Sequence, residues 1–322
     1  MKNWTYISLL SLLTVITACT SDSGGDDSPV ELTITAAVDT GDVTRANQIL
    51  PGGYFDGGTQ VGVYVTEQDD ETAVKQHNAC YTAFDENIVQ KWIAESRLIL
   101  KDEQLKAMAY FPYDDSESFD VTNIPLSCPN DGTDIDNLYA EWKNNISKAR
   151  PNVRFILKHI KAKIRLHVSV SSLTAFYETT THQPVWTSAA IEGSCYATAG
   201  HYNAQTGALV TTATAPLSCS VPDGFQLEKY YSTYYGDCEF LVLPVSTAGT
   251  LTLRLVIDGK PVKYELSDVQ LQSGYTTVIS LNLDESLLRL SSQVLREAWN
   301  YGSLVYVYNT SGNMAPTNPN DN

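Results

Sequence analysis

Few residues in this chain are of the types and spacings that do chemistry. Asp131, Asp134 and Asp136 crowd one loop, where carboxylate oxygens could hold Ca²⁺. Their spacing is not that of an EF-hand loop, and a solvated loop is the better account. Five histidines (His77, His159, His167, His182 and His201) are scattered, and none makes a close metal-ligand pair. There is no G-x-S-x-G elbow, no H-E-x-x-H and no glycine-rich phosphate loop. Gly52-Gly53 and Gly57-Gly58 flank Tyr54-Phe55-Asp56 as turn chemistry between strands. Paired carboxylates for glycoside hydrolysis need only proximity in space, and no pair stands out. The reading is no enzyme, no catalytic residue, no metal and no cofactor.

Four tyrosines are a different kind of candidate. Tyr230, Tyr231, Tyr234 and Tyr235 flank Ser232-Thr233 and could stack on sugar rings as glycan contacts. The alternative is tyrosines facing both sides of a strand end.

Cysteine chemistry is limited by number. Six cysteines are present, and setting Cys19 aside leaves Cys80, Cys128, Cys195, Cys219 and Cys238. An odd number cannot be fully paired within one chain. One disulfide among Cys195, Cys219 and Cys238 suits an exported protein. Buried free thiols, acting as small hydrophobes, are the equal alternative.

The elements that must position these residues are strands. The chain has 322 residues, 43% of them hydrophobic, and a formal net charge of −16. Such acidity argues against a nucleic-acid partner, and the hydrophobic fraction is enough for a core. Leu32, Ile34, Ala36 and Val38 alternate on one face of a first strand. Val61, Val63 and Val65 do the same, with Gly62 and Tyr64 opposite. Leu98 to Leu100 and Lys106 to Phe111 read as a hairpin that Pro112 ends, with a short helix as the alternative. Val153, Phe155 and Leu157 give way to Ile160, Ala162, Ile164, Leu166 and Val168. That parity change, read at Lys158-His159, needs a bulge or a new partner sheet. It marks a junction between two cores. Lys161, Lys163, Arg165 and His167 form the opposite face, read as solvated or interdomain. Leu251 to Ile257 and Val262 to Leu266 flank Asp258-Gly259, a strong hairpin turn. Val294 to Trp299 is open between helix and strand. The fold class is all-β, two tandem antiparallel β-sandwich domains, over 31–160 and 161–310.

Both ends lie outside that pattern. Residues 1–18 carry Lys2 and an apolar run too short to span a membrane, as in a signal peptide. Ile16-Thr17-Ala18-Cys19 resembles a bacterial lipobox, which makes Cys19 the lipidated residue. Residues 19–30 are polar, glycine-rich and acidic, and read as a flexible tether. Residues 311–322 read as a disordered polar tail.

Taken in order, these features resemble the fimbrillin family of Bacteroidales, the lipoprotein pilins of type V pili. The resemblance rests on the lipobox, the acidic tether, the first strand and Thr44-Arg45-Ala46. It also rests on Gly62-Val63-Tyr64-Val65, Ala109-Tyr110-Phe111-Pro112-Tyr113, Val153 to Leu166, Leu241 to Val245 and Leu271 to Tyr275. It implies transthyretin-like (Greek-key) topology in both domains, and a structural pilus subunit or adhesin. It implies surface display as an outer-membrane lipoprotein, with other pilus subunits, host or bacterial surface ligands and a trypsin-like processing protease as partners. Cleavage between Arg45 and Ala46 would release the first strand with Leu32, Ile34, Ala36 and Val38. The donor strand from another subunit would be Leu304, Val305, Tyr306, Val307 and Tyr308. A surface glycan-binding lipoprotein is the alternative.

Overall fold

Alternation of β-branched and aromatic residues over short runs favours pleated, half-buried strands. In the computed structural model every regular element among the described residues is a strand. Those residues are 28–39, 55–86, 89–116, 119–129, 135–171, 184–226, 228–230, 233–283 and 290–298. The first half holds β1 (Val30–Glu31), β2 (Thr33–Val38), β3 (Gln60–Glu67), β4 (Val74–Glu86) and β5 (Val89–Ala94). It continues with β6 (Ile99–Leu100), β7 (Leu105–Phe111), β8 (Ile124–Ser127), β9 (Leu138–Ile146) and β10 (Asn152–His159). The second half holds β11 (Ala162–Ser171), β12 (Val185–Gly193), β13 (Tyr196–Ala197), β14 (Ala199–Asn203), β15 (Ala208–Ala213) and β16 (Leu217–Gln226). It ends with β17 (Glu228–Tyr230), β18 (Thr233–Pro244), β19 (Gly249–Ile257), β20 (Lys260–Val269), β21 (Tyr275–Leu283) and β22 (Leu290–Ala298).

The strands form two cores. In the first half the order is β2-β10-β9-β7-β3-β4-β5, and β1 pairs with β6. This sheet wraps a core that includes Val61, Val63, Val65, Ala107, Phe155 and Leu157. In the second half β13-β18-β11-β21-β22 faces β16-β12-β19-β20 across Ile164, Leu166, Phe240, Leu253 and Ile279. Asp258 and Gly259 both take positive φ and close the β19–β20 hairpin, as the Asp-Gly dipeptide predicts.

Two sheets are mixed rather than purely antiparallel. β2 runs parallel to β10, and β11 runs parallel to β21. Parallel neighbours need a long crossover between them, and intervening strands supply it in both halves. The reading of Leu98 to Phe111 as a hairpin fails for a related reason. β6 pairs with β1, whereas β7 lies between β3 and β9. Both ladders of β7 are occupied, so β6 is left to another edge. Val294 to Ala298 is strand, paired in β22 with β21.

The junction lies two residues later than the sequence pattern suggests. His159 keeps the inward parity of Val153, Phe155 and Leu157, and is buried with Nδ1 2.7 Å from Asp136 Oδ2. A polar residue hid that position from an apolar count. The chain breaks at Ile160-Lys161, between β10 and β11. Lys161 is 1% exposed, so of the two readings, solvated or interdomain, the solvated one fails for it. Its Nζ donates to Ser127 O and Ile135 O, each at 2.7 Å. The rest of the basic stripe meets carboxylates. Lys163 and Arg165 hold Glu239 at 2.9 and 2.7 Å, and His167 meets Asp237 at 2.7 Å. β11 is an inner strand, so its outward side chains are flanked on both sides. Burial raises the Glu239 pKa, but the hydrogen bonds and charges of Lys163 and Arg165 outweigh it and hold the carboxyl low.

A third apolar cluster joins the halves. It packs Tyr64, Met108, Tyr110, Phe119 and Ile160 against Tyr202 and Leu243. β8 of the first half pairs with β14 of the second. Tyr139 and Tyr202 rings meet at 4.8 Å, and Trp142 Nε1 donates to Gln205 O at 3.2 Å. Gly62 is required here. A Cβ on it would stand 2.0 Å from the Tyr110 ring, so only glycine lets that ring lie on β3.

Lys161→Met tests the junction. It keeps most of the volume but leaves the Ser127 and Ile135 carbonyls without their donor, a cost of about 1–3 kcal/mol. The urea midpoint should fall accordingly, and an unchanged midpoint would show that the ammonium does not tie these loops.

Candidate functional site at the first strand

The first strand is held in an unusual way. Val30 and Glu31 pair with Leu100 and Ile99, and Leu32 N donates to Leu98 O at 2.9 Å. The chain then changes partner. Thr33 N donates to Pro151 O at 3.0 Å, and Thr33 to Val38 run in register with Asn152 to Leu157. Asp39 N closes the ladder on Leu157 O at 2.7 Å. Thr33 Oγ1 also donates to Asn152 Oδ1. Among the described residues, the strand along Thr33–Val38 pairs with β10 alone, although it also packs near β5.

Side chains divide by parity, as a strand requires. Leu32, Ile34 and Ala36 are 1%, 4% and 6% exposed, and Val38 is half-buried against the same core. Thr33 and Thr35 face solvent. Val153, Phe155 and Leu157 of β10 form the apolar bed on the same side. The first strand is therefore an apolar plug with one backbone partner along Thr33–Val38.

The ends of this slot differ in character. Near its start Tyr81 is buried without a hydrogen-bond partner for its hydroxyl. Burial, and secondarily the Glu31 charge, push its pKa up to about 12, so it stays neutral. At the other end a cavity of about 230 Å³ opens between the halves. It is lined by Asp39, Tyr139, Lys158, His159, Ser273 and Tyr275. Lys158 is held to Glu141 at 2.6 Å. This hydrogen bond is the main cause of its raised pKa, with burial opposing and the Asp39 charge adding a little.

Other candidates fall elsewhere. Cys19, Arg45, Ala46 and Leu304, Val305, Tyr306, Val307 and Tyr308 lie outside the described residues. So do Tyr231 and the side chain of Tyr230. Tyr234 is 5% exposed inside the second core, which removes it as a sugar platform. Tyr235 is half-buried, its ring 6.2 Å from His167. β18 lies between β11 and the short β13 and β17, and alternation sends one tyrosine inward. Asp131 and Asp134 are outside the described residues, and Asp136 is taken up by His159. No group of three metal-ligating side chains occurs among the described residues. Cys80 and Cys195 are buried free thiols, and Cys128 and Cys238 are buried as well. The change of partner at Leu32-Thr33 had no signal in the sequence pattern.

Comparison with known proteins follows the same lines. Among solved structures, a candidate cell adhesion protein from Bacteroides uniformis superposes with a TM-score of 0.59 at 18% identity. The match covers 85% of this chain and 99% of that one. A second candidate cell adhesion protein, from Bacteroides ovatus, gives 0.56 at 16% identity, over 84% and 97%. A fimbrial protein from Bacteroides vulgatus gives 0.55 at 10% identity, over 84% and 99%. At such identities the likeness is one of fold. No curated protein matches the chain. The fimbrillin-like family model matches residues 44–297, most of the chain, and this protein belongs to that family.

Proposed function

We infer that the protein is a structural pilus subunit or pilus-associated adhesin, not an enzyme, and that it assembles by exchange of its first strand. Family membership supports the general role, as do the names of structural neighbours described as fimbrial or as candidates in cell adhesion. One observation carries the mechanism: among the described residues, the first strand along Thr33–Val38 bonds only to β10 yet places Leu32, Ile34 and Ala36 in the core.

Departure of that strand has defined consequences. It would strip the backbone partners from Asn152 to Leu157 and uncover Val153, Phe155 and Leu157. Unpaired strand edges beside an apolar trough are strongly prone to take up another strand. Alternate side chains of that strand fill the pockets, and its backbone restores the ladder. Arg45 stands seven residues beyond Val38, where a trypsin-like protease would sever the first strand from the rest of the chain. Residues Leu304 to Tyr308 are all apolar or aromatic, and either Leu304, Tyr306 and Tyr308 or Val305 and Val307 would plug the slot of a neighbouring subunit. In this reading Cys19 is lipidated, and the outer membrane holds the precursor at the cell surface until cleavage frees it.

Two experiments bear on this. Trace trypsin should yield a new N-terminus at Ala46, followed by a ladder of oligomers on denaturant-free gels. A resistant Arg45 bond, or a cut chain that stays monomeric, would sink strand exchange. Ile34→Ala should lower stability by about 2–5 kcal/mol, as large-to-small core changes do, and speed assembly after the cut. Thr35→Ala, on the exposed face, should stay within about 0.5 kcal/mol. Equal urea midpoints for the two variants would remove the plug assignment.

A further inference from the structure

One end of the first half carries cations that no carboxylate holds. Elsewhere Lys75, Lys106, Lys148, Lys158, Arg165, Arg254 and Lys263 each have an acid within 4 Å. Among the described residues Lys143, Arg150 and Arg154 have no such pair. They line one cleft of about 250 Å³ between the end of β9 and the start of β10, together with Asn144, Asn145 and Asn152. Buried Ile146 and Val153 form its apolar side. No acidic residue lines it, in a chain whose net charge is −16. Guanidinium forks and amide N–H groups are the donors that fit carboxylates, and Arg does so bidentately.

The cleft adjoins the start of the first strand. Asn152, one of its lining residues, accepts from Thr33 Oγ1 and stands in register with Thr33. Arg154 stands in register with Thr35. Val30 pairs with Leu100, and Lys148 reaches Asp102, which brings residues 30–33, 99–102 and 146–154 to the same end. The chain before Ser28 starts from that end, and it carries Asp22, Asp26 and Asp27 with no cation between Thr20 and Ser28. Ser28 to Asp22 is six residues, a reach of up to roughly 20 Å when extended. A short covalent connection gives such a segment an effective concentration of roughly millimolar.

We propose that the cleft of Lys143, Arg150 and Arg154 binds an acidic peptide, and that its occupant is the Asp22–Asp27 segment of the same chain. The segment is thereby fixed beside the start of the first strand. The contact does not require cleavage at Arg45. If the leader is cut away, the same cleft is left open to an acidic segment of another subunit.

Carbodiimide coupling of the full chain, held in detergent, tests this, because the reagent joins only carboxylates and amines already in contact. The expected product is a monomer with an amide between Asp22, Asp26 or Asp27 and Lys143 Nζ, located by peptide mass spectrometry. Its yield should fall at least fivefold in 0.5 M NaCl, where the Debye length is about 4 Å. It should fall similarly in Arg150→Gln/Arg154→Gln, which keeps the Lys143 amine. Both substituted side chains are exposed, and a thermal melt matching the parent shows that the variant is folded. Equal yields in salt or in the variant would overturn the proposal, as would coupling found only between separate chains. A membrane occupant would show itself differently. Phosphatidylglycerol vesicles would float the parent chain but not the double variant, and no amide to Lys143 would form.

Discussion

A strand presents its side chains alternately to two faces, and this chain must serve two cores in succession. No unbroken strand can move its apolar set from one parity to the other. The fold meets that constraint at Ile160-Lys161, where β10 ends and β11 begins. The two residues out of strand register are not left to water. Ile160 N donates to Asn137 O, Ser273 Oγ donates to Ile160 O, and Gly274 N donates to Lys161 O. The Lys161 ammonium fills the remaining space and bonds two loop carbonyls. Everything on either side follows from this crossing. β10 becomes the bed for the first strand, and β11 becomes the inner strand of the second core.

The same crossing makes the two halves act as one body. Ile160 enters the third cluster, and β8 adds to β14 across the boundary. Force along such a unit would be carried by backbone ladders and packed aromatic rings rather than by a linker. Among the described residues the first strand has one partner along Thr33–Val38 and another before Leu32. In the proposed mechanism this is the strand that exchanges: its inward side chains are buried, and its Thr33–Val38 ladder is made with β10.

Buried polar chemistry is used for structure throughout. Cys80 and Cys195 are buried free thiols, and burial pushes the Cys195 pKa up to about 11. Such thiols stay protonated and behave as small hydrophobes. His159 and His167 each meet an aspartate rather than a metal. The tyrosines that looked like a sugar platform are divided by strand alternation, with Tyr234 in the core.

Local pattern determined a good deal by itself. Alternation along Leu32 to Val38, Val153 to Leu157 and Leu251 to Ile257 identifies strands and their inward faces, because side-chain period and burial are coupled within one strand. Asp258-Gly259 identifies a hairpin, because its positive φ values are a property of two residues. Landmarks such as Ala109 to Tyr113 were enough to point to the fimbrillin family. Tertiary structure alone decided which strands are neighbours. Pairing depends on partners far along the chain, so β6 joins β1 instead of β7, and two pairs run parallel. It also decided which polar residues are interior. His159 and Lys161 look like surface residues in any apolar count, and only the convergence of Asp136, Ser127 and Ile135 around them makes their burial affordable.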